Sequence, residues 1–357
     1  MSVRGEEQPV ASVTTVKQLE KIVGRRPLGA KMKSLPHLDA HCERLLALSP
    51  LAILGWAETS GLARVTAVGG EPGFAVPSDP GTLQLGRPPG LDTLDGSIGV
   101  GLLFLIPGLG ETLRVNGTAR LDGGELRIAV EEAFIHCAKA VLRSSLWDPV
   151  GLTSGPAADR GAPGGRGPLA EPAVADWLER SPFLVVTSWD ADGRADASPK
   201  GDPPGFARVD GADLLIPDRP GNRRTDTFHN LVEQPRVAVG VFVPGETRLL
   251  EVSGRAALTT DPERLRPMAV SGKIPKIAMR LAVDRAELGE SRALAASELW
   301  DTSRHLGQDE RPNMAAVFID HVKQNRTRGA AATAVRALAS KRILEAALAK
   351  DYEKNRY

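Results

Sequence analysis

The sequence has very few cysteines, almost no net charge and no long apolar segment, and each shortage excludes a class of protein. Cys42 and Cys137 are too few and too far apart for a disulfide framework, which is typical of a reducing cytoplasm. The 45 basic and 44 acidic residues leave a formal charge of +1, so no global field attracts the chain to nucleic acid or to an anionic membrane. The longest apolar run, 99–106, is far too short to span a bilayer, and the amino terminus lacks the apolar core of a signal peptide. We therefore predict a soluble cytoplasmic protein whose partner is a small molecule rather than nucleic acid or a membrane.

Length and local composition divide the chain into parts. A chain of 357 residues is too long for one ordinary core and predicts about two domains. Between 150 and 172, Gly, Pro and Ala replace large apolar residues, which is typical of a flexible linker. The predicted parts are a helical arm at 1–48, a first unit at 49–149, the linker at 150–172, a second unit at 173–302 and a helical tail at 303–357.

The two units repeat each other. Residues 49–74 align with 181–206 without a gap over 26 positions, of which 8 are identical, mostly turn residues whose backbone role is hard to replace. A second pair of segments, 100–117 and 237–254, also aligns without a gap. Both units then close on similar strings, SSLWDP and SELWDT. We infer an internal duplication, which sets the fold expectation for the whole chain.

Each unit consists of short apolar segments separated by turn residues about every ten positions. This pattern indicates antiparallel strands in a barrel or sandwich, and DADG at 190–193 is a typical hairpin turn. Helical patterns flank the strands at 38–48, at 174–180 and in a tail from 330 to 357. The predicted class is therefore mainly β with flanking helices (α+β).

Several motifs resemble the pyridoxamine 5′-phosphate oxidase-like FMN-binding flavoproteins. The second unit carries DASPKGDPPGF at 196–206, IPDRPGNRRTDT at 216–227 and NLVEQPRVAV at 230–239, and the first carries HCAKAVLRSSLWDP at 136–149. The resemblance covers nearly the whole chain outside the linker. It implies two tandem FMN-binding split β-barrels that form an intramolecular pseudo-dimer, as a monomer or within a homo-oligomer.

The first unit has lost part of this pattern. Val68 stands where the second unit has Lys200, and the loop GRPPGLDT at 86–93 lacks counterparts of Arg223 and Arg224.

The second unit has lost a different part, because Glu251 stands where the first unit has Arg114. The other lost counterparts are Gly289 for His136 and Ala296 for Arg143. Because proteins of this fold bind FMN between two barrels, complementary losses imply one composite FMN site built from both units.

The resemblance assigns roles to residues of that site. The phosphate of FMN carries nearly two negative charges. Binding it requires donors that stay charged and can donate to two oxygens at once, which are properties of the arginine guanidinium group. The expected FMN-binding residues are Ser198, Lys200, Arg219, Asn222, Arg223, Arg224 and Thr227 from the second unit, with Thr112 and Arg114 from the first. Lys139 and Arg143 are expected to bind an anionic substrate, and His136 is the candidate catalytic proton donor because its charge can change near neutral pH.

The predicted function is that of an FMN-dependent oxidoreductase acting on a small organic substrate. The alternatives are a non-catalytic flavin-binding protein and a barrel of the same fold that binds deazaflavin or haem. An arginine-rich turn such as RPGNRR is also common on solvated surfaces. No metal is expected, because the adjacent His136 and Cys137 have no further His/Cys cluster at ligand spacing. His41 and Cys42 on the first helix are interpreted as packing residues.

Overall fold

The computed structural model describes residues 12–91, 94, 96–148, 164–221 and 223–339. Over these residues the protein consists of two antiparallel sheets, one from each predicted unit. A short amino-terminal strand, β1 (Ser12–Val13), joins the sheet of the second unit. The sheet of the first unit contains β2 (Leu51–Ala57), β3 (Ala63–Gly69), β4 (Val76–Asp79), β5 (Thr82–Gly86), β6 (Ile98–Leu105), β7 (Thr112–Asp122) and β8 (Glu125–His136). The sheet of the second unit contains β9 (Phe183–Trp189), β10 (Ala195–Gly201), β11 (Arg208–Asp210), β12 (Asp213–Pro217), β13 (Arg236–Phe242), β14 (Arg248–Thr259) and β15 (Ala278–Glu290).

Helices flank the sheets. They are α1 (Val16–Val23), α2 (Leu28–Met32), α3 (Ala40–Leu48), α4 (Lys139–Arg143), α5 (Pro172–Arg180), α6 (Asp226–Glu233), α7 (Pro262–Leu265), α8 (Arg292–Ala296), α9 (Met314–Gln324) and α10 (Ala330–Leu338). None of the helices in the described part of the chain has the length and apolarity to cross a membrane. The end of the predicted helical tail, 340–357, and most of the predicted linker, 150–163, lie outside the described residues.

The two sheets have the same strand order. The first runs β3-β2-β6-β7-β8-β5-β4 and the second runs β10-β9-β13-β14-β15-β12-β11. Their irregularities also correspond, because the β7–β8 ladder shifts register between Asn116 and Gly117 and the β14–β15 ladder shifts between Ser253 and Gly254. The prediction of a mainly β fold with flanking helices is confirmed. Among the described residues each sheet is an open ladder, so the closed barrels of the expectation are not seen.

A core shared by both units explains why the middle strands are buried on both faces. Each unit has its own core, and a third apolar cluster joins residues such as Ile53 of β2 and Val185 of β9. Every residue of β9 is buried, because one face packs on its own unit and the other on the partner unit. Gly101 of β6 faces β10 so closely that a Cβ there would lie 2.9 Å from the Ala197 nitrogen. This contact holds β10 against the first unit.

The described segment before the first unit contacts the second unit, and the described segment after the second unit contacts the first. The amino-terminal β1 pairs with β14, and Leu19 of α1 lies in the core of the second unit. The carboxyl-terminal α9 places Val317 in the core of the first unit. The arms therefore fasten the units together reciprocally.

The two tryptophans of the repeated strings have matching contacts. Trp147 donates from Nε1 to the Leu109 carbonyl at 2.6 Å, and Trp300 donates to the Glu246 carbonyl at 2.8 Å. Their ring centroids are 6.1 Å apart. Since both indoles bind backbone and pack on each other, they stabilise the junction of the units.

Candidate functional site

The main candidate site is a cavity of about 480 Å³ between the two units. The second unit supplies β10 and the loop 217–228, and the first supplies Arg114 of β7, His136 at the end of β8, and α4. A third wall comes from the loop 270–276 between the two long strands of the second unit. The close packing of β10 on the first unit brings these segments together.

The lining of this cavity is strongly cationic. Nine lining residues are Lys or Arg and two, Asp218 and Asp226, are acidic. The cationic residues are Arg114, Lys139, Arg143, Lys200, Arg219, Arg223, Arg224, Lys273 and Lys276. A neutral chain thus concentrates positive charge at one cleft, which favours an anionic ligand.

Arg114 is the centre of a buried network that joins the two units. Its guanidinium is 1% exposed, ion-pairs with Asp196 of β10 and lies 3.3 Å from Asp226. Its Nη2 donates to the Ser198 hydroxyl at 2.9 Å and lies 3.1 Å from His136 Nδ1. Burial raises the pKa of Asp196 to about 6, although Arg114 beside it acts in the opposite direction. Arg114 therefore positions β10 and His136 rather than extending freely into the cavity.

The structure contradicts the expectation that the charge of His136 changes near neutral pH. Burial, followed by the charges of Arg114 and Lys33, holds the pKa of His136 well below its usual value. The imidazole is therefore neutral near pH 7 and does not change charge there. Because a guanidinium can only donate, His136 Nδ1 accepts from Arg114 and the ring proton lies on Nε2. His136 thus offers the cavity a neutral N–H donor.

Arg224 is also committed to partners within the protein. It ion-pairs with Glu132 of β8 and with Asp226, and its Nη1 donates to the Ser34 hydroxyl at 2.6 Å. Its guanidinium lies 3.6 Å from the centroid of the Phe134 ring, a close cation–π contact. Arg224 lines the cavity, but its main contacts fasten the loop of the second unit to the first.

The other cations of the predicted phosphate set differ in their contacts. Lys200 lies 3.7 Å from Asp218, whereas the Arg219 side chain is 10% exposed, ion-pairs with Asp202 and donates to the Met268 carbonyl at 2.8 Å. Arg223 is exposed at the cavity, and within the described residues its side chain forms no hydrogen bond or ion pair. Asn222 lies outside the described residues.

The backbone next to Arg223 is strained and open. Arg223 and Thr225 have φ of 55° and 51°, a left-handed conformation uncommon for residues other than glycine. Within the described residues α6 has no side-chain cap, and the N–H groups of Phe228 and His229 donate to the Thr225 carbonyl. The helix therefore begins beside the cavity with the N–H groups of Asp226 and Thr227 uncapped. Helix starts of this kind favour anions.

Two threonines predicted to contact a cofactor differ in position. Thr227 lines the cavity, and its buried hydroxyl has no hydrogen-bond partner among the described residues. The Thr112 hydroxyl is likewise buried and unpartnered within the described part of the chain, but Thr112 is not among the described residues that line the cavity. Since a buried hydroxyl without a partner destabilises the fold, Thr227 is the better candidate for a ligand contact.

The helix α4 closes the cavity from the first unit. Lys139 and Arg143 are buried and line the cavity, and Arg143 donates to the Pro220 carbonyl at 2.5 Å. The contact with β10 is so close that a Cβ on Gly201 would lie 2.0 Å from the Ala140 carbonyl. Both predicted substrate-binding residues are therefore brought to the cavity.

Three site residues were missed from the sequence. Arg26 of the amino-terminal arm lies 2.5 Å from Asp226 and donates to the Arg224 carbonyl at 2.8 Å. Lys273 and Lys276 extend from the loop 270–276. The basic string KIPK could have indicated this loop, whereas no local pattern distinguishes Arg26.

The equivalent place on the other side of the junction is nearly filled. Its cavity measures about 10 Å³ and is lined by Arg64, Glu251 and Arg285 among others. By the repeat, Glu251 and Arg64 occupy the positions of Arg114 and Asp196, so the charges are exchanged. Burial raises the pKa of Glu251, with Arg64 acting against that shift.

The comparison with family models agrees with the resemblance over the second unit. Residues 170–300 match the family model described as pyridoxamine 5′-phosphate oxidase, which confirms the predicted family for the second unit. The search of curated proteins gave no match.

Solved structures with a likeness each correspond to about a third of this chain. General Stress Protein 26 from Bacillus anthracis str. Sterne is 12% identical over 32% of this chain and 94% of its own, with a TM-score of 0.26. A general stress FMN/FAD binding protein from Xanthomonas citri is 18% identical over 33% and 87%, with a TM-score of 0.24. HutZ, a haem storage protein from Vibrio cholerae, is 14% identical over 34% and 93%, with a TM-score of 0.24.

Proposed function

We propose that this chain, whose residues 170–300 match the pyridoxamine 5′-phosphate oxidase family, is an FMN-dependent oxidoreductase that acts on a small organic substrate. The observation that carries the proposal is the cationic cavity of about 480 Å³ to which both units contribute side chains. It supports one FMN per chain, with the phosphate held by the second unit and the ring covered by the first.

The residues present fit a phosphorylated flavin. Arg223, Arg219 and Lys200 line the cavity, and Arg223 stands two residues before the cap position of α6. A phosphate there gains charge-assisted hydrogen bonds of roughly 1.5 to 3 kcal/mol each, so three are comparable with the roughly 8 kcal/mol of a micromolar complex. The unpartnered Thr227 hydroxyl gives the ligand a further hydrogen-bonding group.

The protein's own contribution is to position the ring and substrate, since bound FMN would supply the hydride or electron transfer. His136 presents Nε2–H as a fixed donor because Arg114 occupies Nδ1. Lys139 and Arg143 on α4 provide positive charge for an anionic substrate. We assign His136 the role of a hydrogen-bond donor to ring or substrate, and not that of a group that titrates near pH 7.

Haem is a weaker candidate for this cavity. Ligation of iron by His136 would need the lone pair of its Nε2. Because Arg114 donates to Nδ1, the ring proton lies on Nε2 and that lone pair is not available. Deazaflavin shares the need for a phosphate site, so its distinction from FMN depends on the absorption spectrum.

The decisive experiment is the visible spectrum and cofactor content of the purified protein. We expect a flavin spectrum, one FMN per chain, and a higher melting temperature with added FMN than with riboflavin, which lacks the phosphate. Colourless protein that gains no thermal stability from FMN would contradict the proposal, and two FMN per chain would contradict the composite site. Bound flavin that no nicotinamide donor reduces would favour a non-catalytic flavin-binding protein.

We further propose that the monomer is sufficient for function, because both halves of the site belong to one chain. A cytoplasmic location is consistent with Cys42 and Cys137, which are both free thiols. Size-exclusion chromatography with light scattering on FMN-loaded protein tests the first point.

A further inference from the structure

A second group of chemically active side chains lies far from the cationic cavity. Asp39 precedes α3, Cys42 lies on its first turn, and His321 lies on α9, 279 residues after Cys42. His321 Nε2 is 3.9 Å from Cys42 Sγ and 3.3 Å from Asp39 Oδ1. Cys42 and His321 are 0% exposed.

The hydrogen-bond partners of His321 require a proton or a metal ion between its ring and Asp39. His321 Nδ1 lies 3.2 Å from the Lys33 carbonyl oxygen, which can only accept, so Nδ1 carries a proton. In the neutral ring Nε2 then bears a lone pair that faces a carboxylate oxygen of Asp39, which is also an acceptor. Two acceptors at this distance are stable only with a proton or a metal ion between them.

The ligand types and spacing match a zinc-type ion. Zn²⁺ binds Cys sulfur at about 2.3 Å and His nitrogen or carboxylate oxygen at about 2.0 to 2.2 Å, which places tetrahedral ligands roughly 3.3 to 3.6 Å apart. His321 Nε2 lies 3.3 Å from Asp39 Oδ1, within this range, and 3.9 Å from Cys42 Sγ, slightly beyond it, and all three ligand atoms lie within 4.8 Å of one another.

The surroundings are also those of a metal centre. The Lys33 carbonyl accepts from His321 Nδ1, and Gln324 Nε2 donates to Asp39 Oδ2 at 2.8 Å. Outer contacts of this kind orient the ligands of metal sites.

We propose that Asp39, Cys42 and His321 bind one zinc-type divalent ion that fastens the carboxyl-terminal arm to the first unit. Binding converts the Cys42 thiol to a thiolate and releases its proton to solvent. Among the described residues three side chains supply ligands, so a fourth position goes to water. The ion would link α9 to α3 and stabilise the reciprocal arrangement of the arms. This inference does not depend on the flavin proposal.

Metal analysis of the full-length protein, purified without chelator and dialysed against Zn²⁺-containing and then metal-free buffer, tests the site. We expect about one zinc per chain. Cys42→Ser and His321→Gln should each reduce the content at least fivefold. Cys137→Ser is the matched control, because its thiol is half-buried and outside the group, and it should retain the zinc. Zinc absent from the wild type, or retained in full by both ligand variants, overturns the proposal and leaves an imidazolium–carboxylate pair.

A measurement on the wild type covers the case in which the variants do not fold. Zinc-edge X-ray absorption should show one sulfur at about 2.3 Å with nitrogen or oxygen ligands at about 2.0 Å. A zinc shell without sulfur would mean that Cys42 is not a ligand and would also overturn the proposal.

Discussion

The two sides of the junction between the units are built from corresponding strands but differ in the size of their cavities. One side holds a cavity of about 480 Å³ and the other a cavity of about 10 Å³. On the open side Arg114 of the first unit pairs with Asp196 of the second. On the closed side the repeat places Glu251 and Arg64 at those positions, which reverses the charges. Glu251 thus stands where Arg114 contributes positive charge at the open side, and the loop 86–93 lacks counterparts of Arg223 and Arg224.

The comparison also shows that cations in a pocket are not interchangeable. Arg114 and Arg224 are buried and paired with carboxylates, so they hold the pocket together. Arg223 is exposed and, within the described part of the chain, unpaired, so it is available to a ligand. The number of arginines in a motif therefore overstates the number that can contact a phosphate.

The largest effect should follow from Arg114→Glu, which places in the open site the residue found at the closed one. Three carboxyl groups would then meet in a buried space, and the support of His136 and Ser198 would be lost. We expect the FMN dissociation constant to rise more than about 100-fold, or binding to vanish.

Glu251→Gln at the equivalent position is the control for Arg114→Glu and should leave the FMN affinity unchanged. Isothermal titration calorimetry measures the FMN affinity of both variants, and circular dichroism checks that they are folded. An Arg114→Glu protein that keeps its affinity within about threefold would show that the two sides do not differ for the reason given.

Arg223→Ala should have the next largest effect, because it removes a charged donor that is not needed for packing. Loss of one charge-assisted hydrogen bond of about 1.5 to 3 kcal/mol weakens FMN binding roughly 10- to 150-fold. Riboflavin affinity should change little, and Arg87→Ala in the shortened loop of the first unit should change neither. An equal loss for riboflavin and FMN would place Arg223 away from the phosphate.

The pH dependence of stability tests whether burial lowers the pKa of Lys33. Lys33 is buried, and burial lowers its pKa to about 7. Between pH 7 and 9 the unfolded chain binds a proton that the folded protein lacks, so the free energy of unfolding rises with pH. Lys33→Met should remove a rise on the order of 2 kcal/mol over this interval. Denaturant unfolding at both pH values measures it, and parallel pH profiles for the two proteins would refute the assignment.

The smallest effect concerns the two threonines with unpartnered hydroxyls. Thr227→Val should weaken FMN binding by roughly 2- to 10-fold, the value of one neutral hydrogen bond. Thr112→Val is the matched control, since its hydroxyl is equally buried but does not line the cavity. If Thr112→Val lost more affinity than Thr227→Val, the ring would lie nearer β7 than the cavity indicates.

The repeat, the mainly β class and the segments that meet at the cavity could be predicted from the amino-acid sequence. These follow from local properties: apolar segments at strand length, turn residues at fixed positions and arginines clustered within one loop. The matching strand orders of the two sheets agree with the alignment of the units.

The role of each charged residue could not be predicted in this way, because it depends on contacts between distant segments. Contacts such as Arg114 with Asp196, Arg26 with Asp226 and Cys42 with His321 join residues 82, 200 and 279 positions apart. The pKa of His136 likewise depends on burial and on cations from other segments. Charge interactions act through space and depend on solvent exposure, so no pattern along the chain reveals whether an arginine faces a ligand or a buried carboxylate.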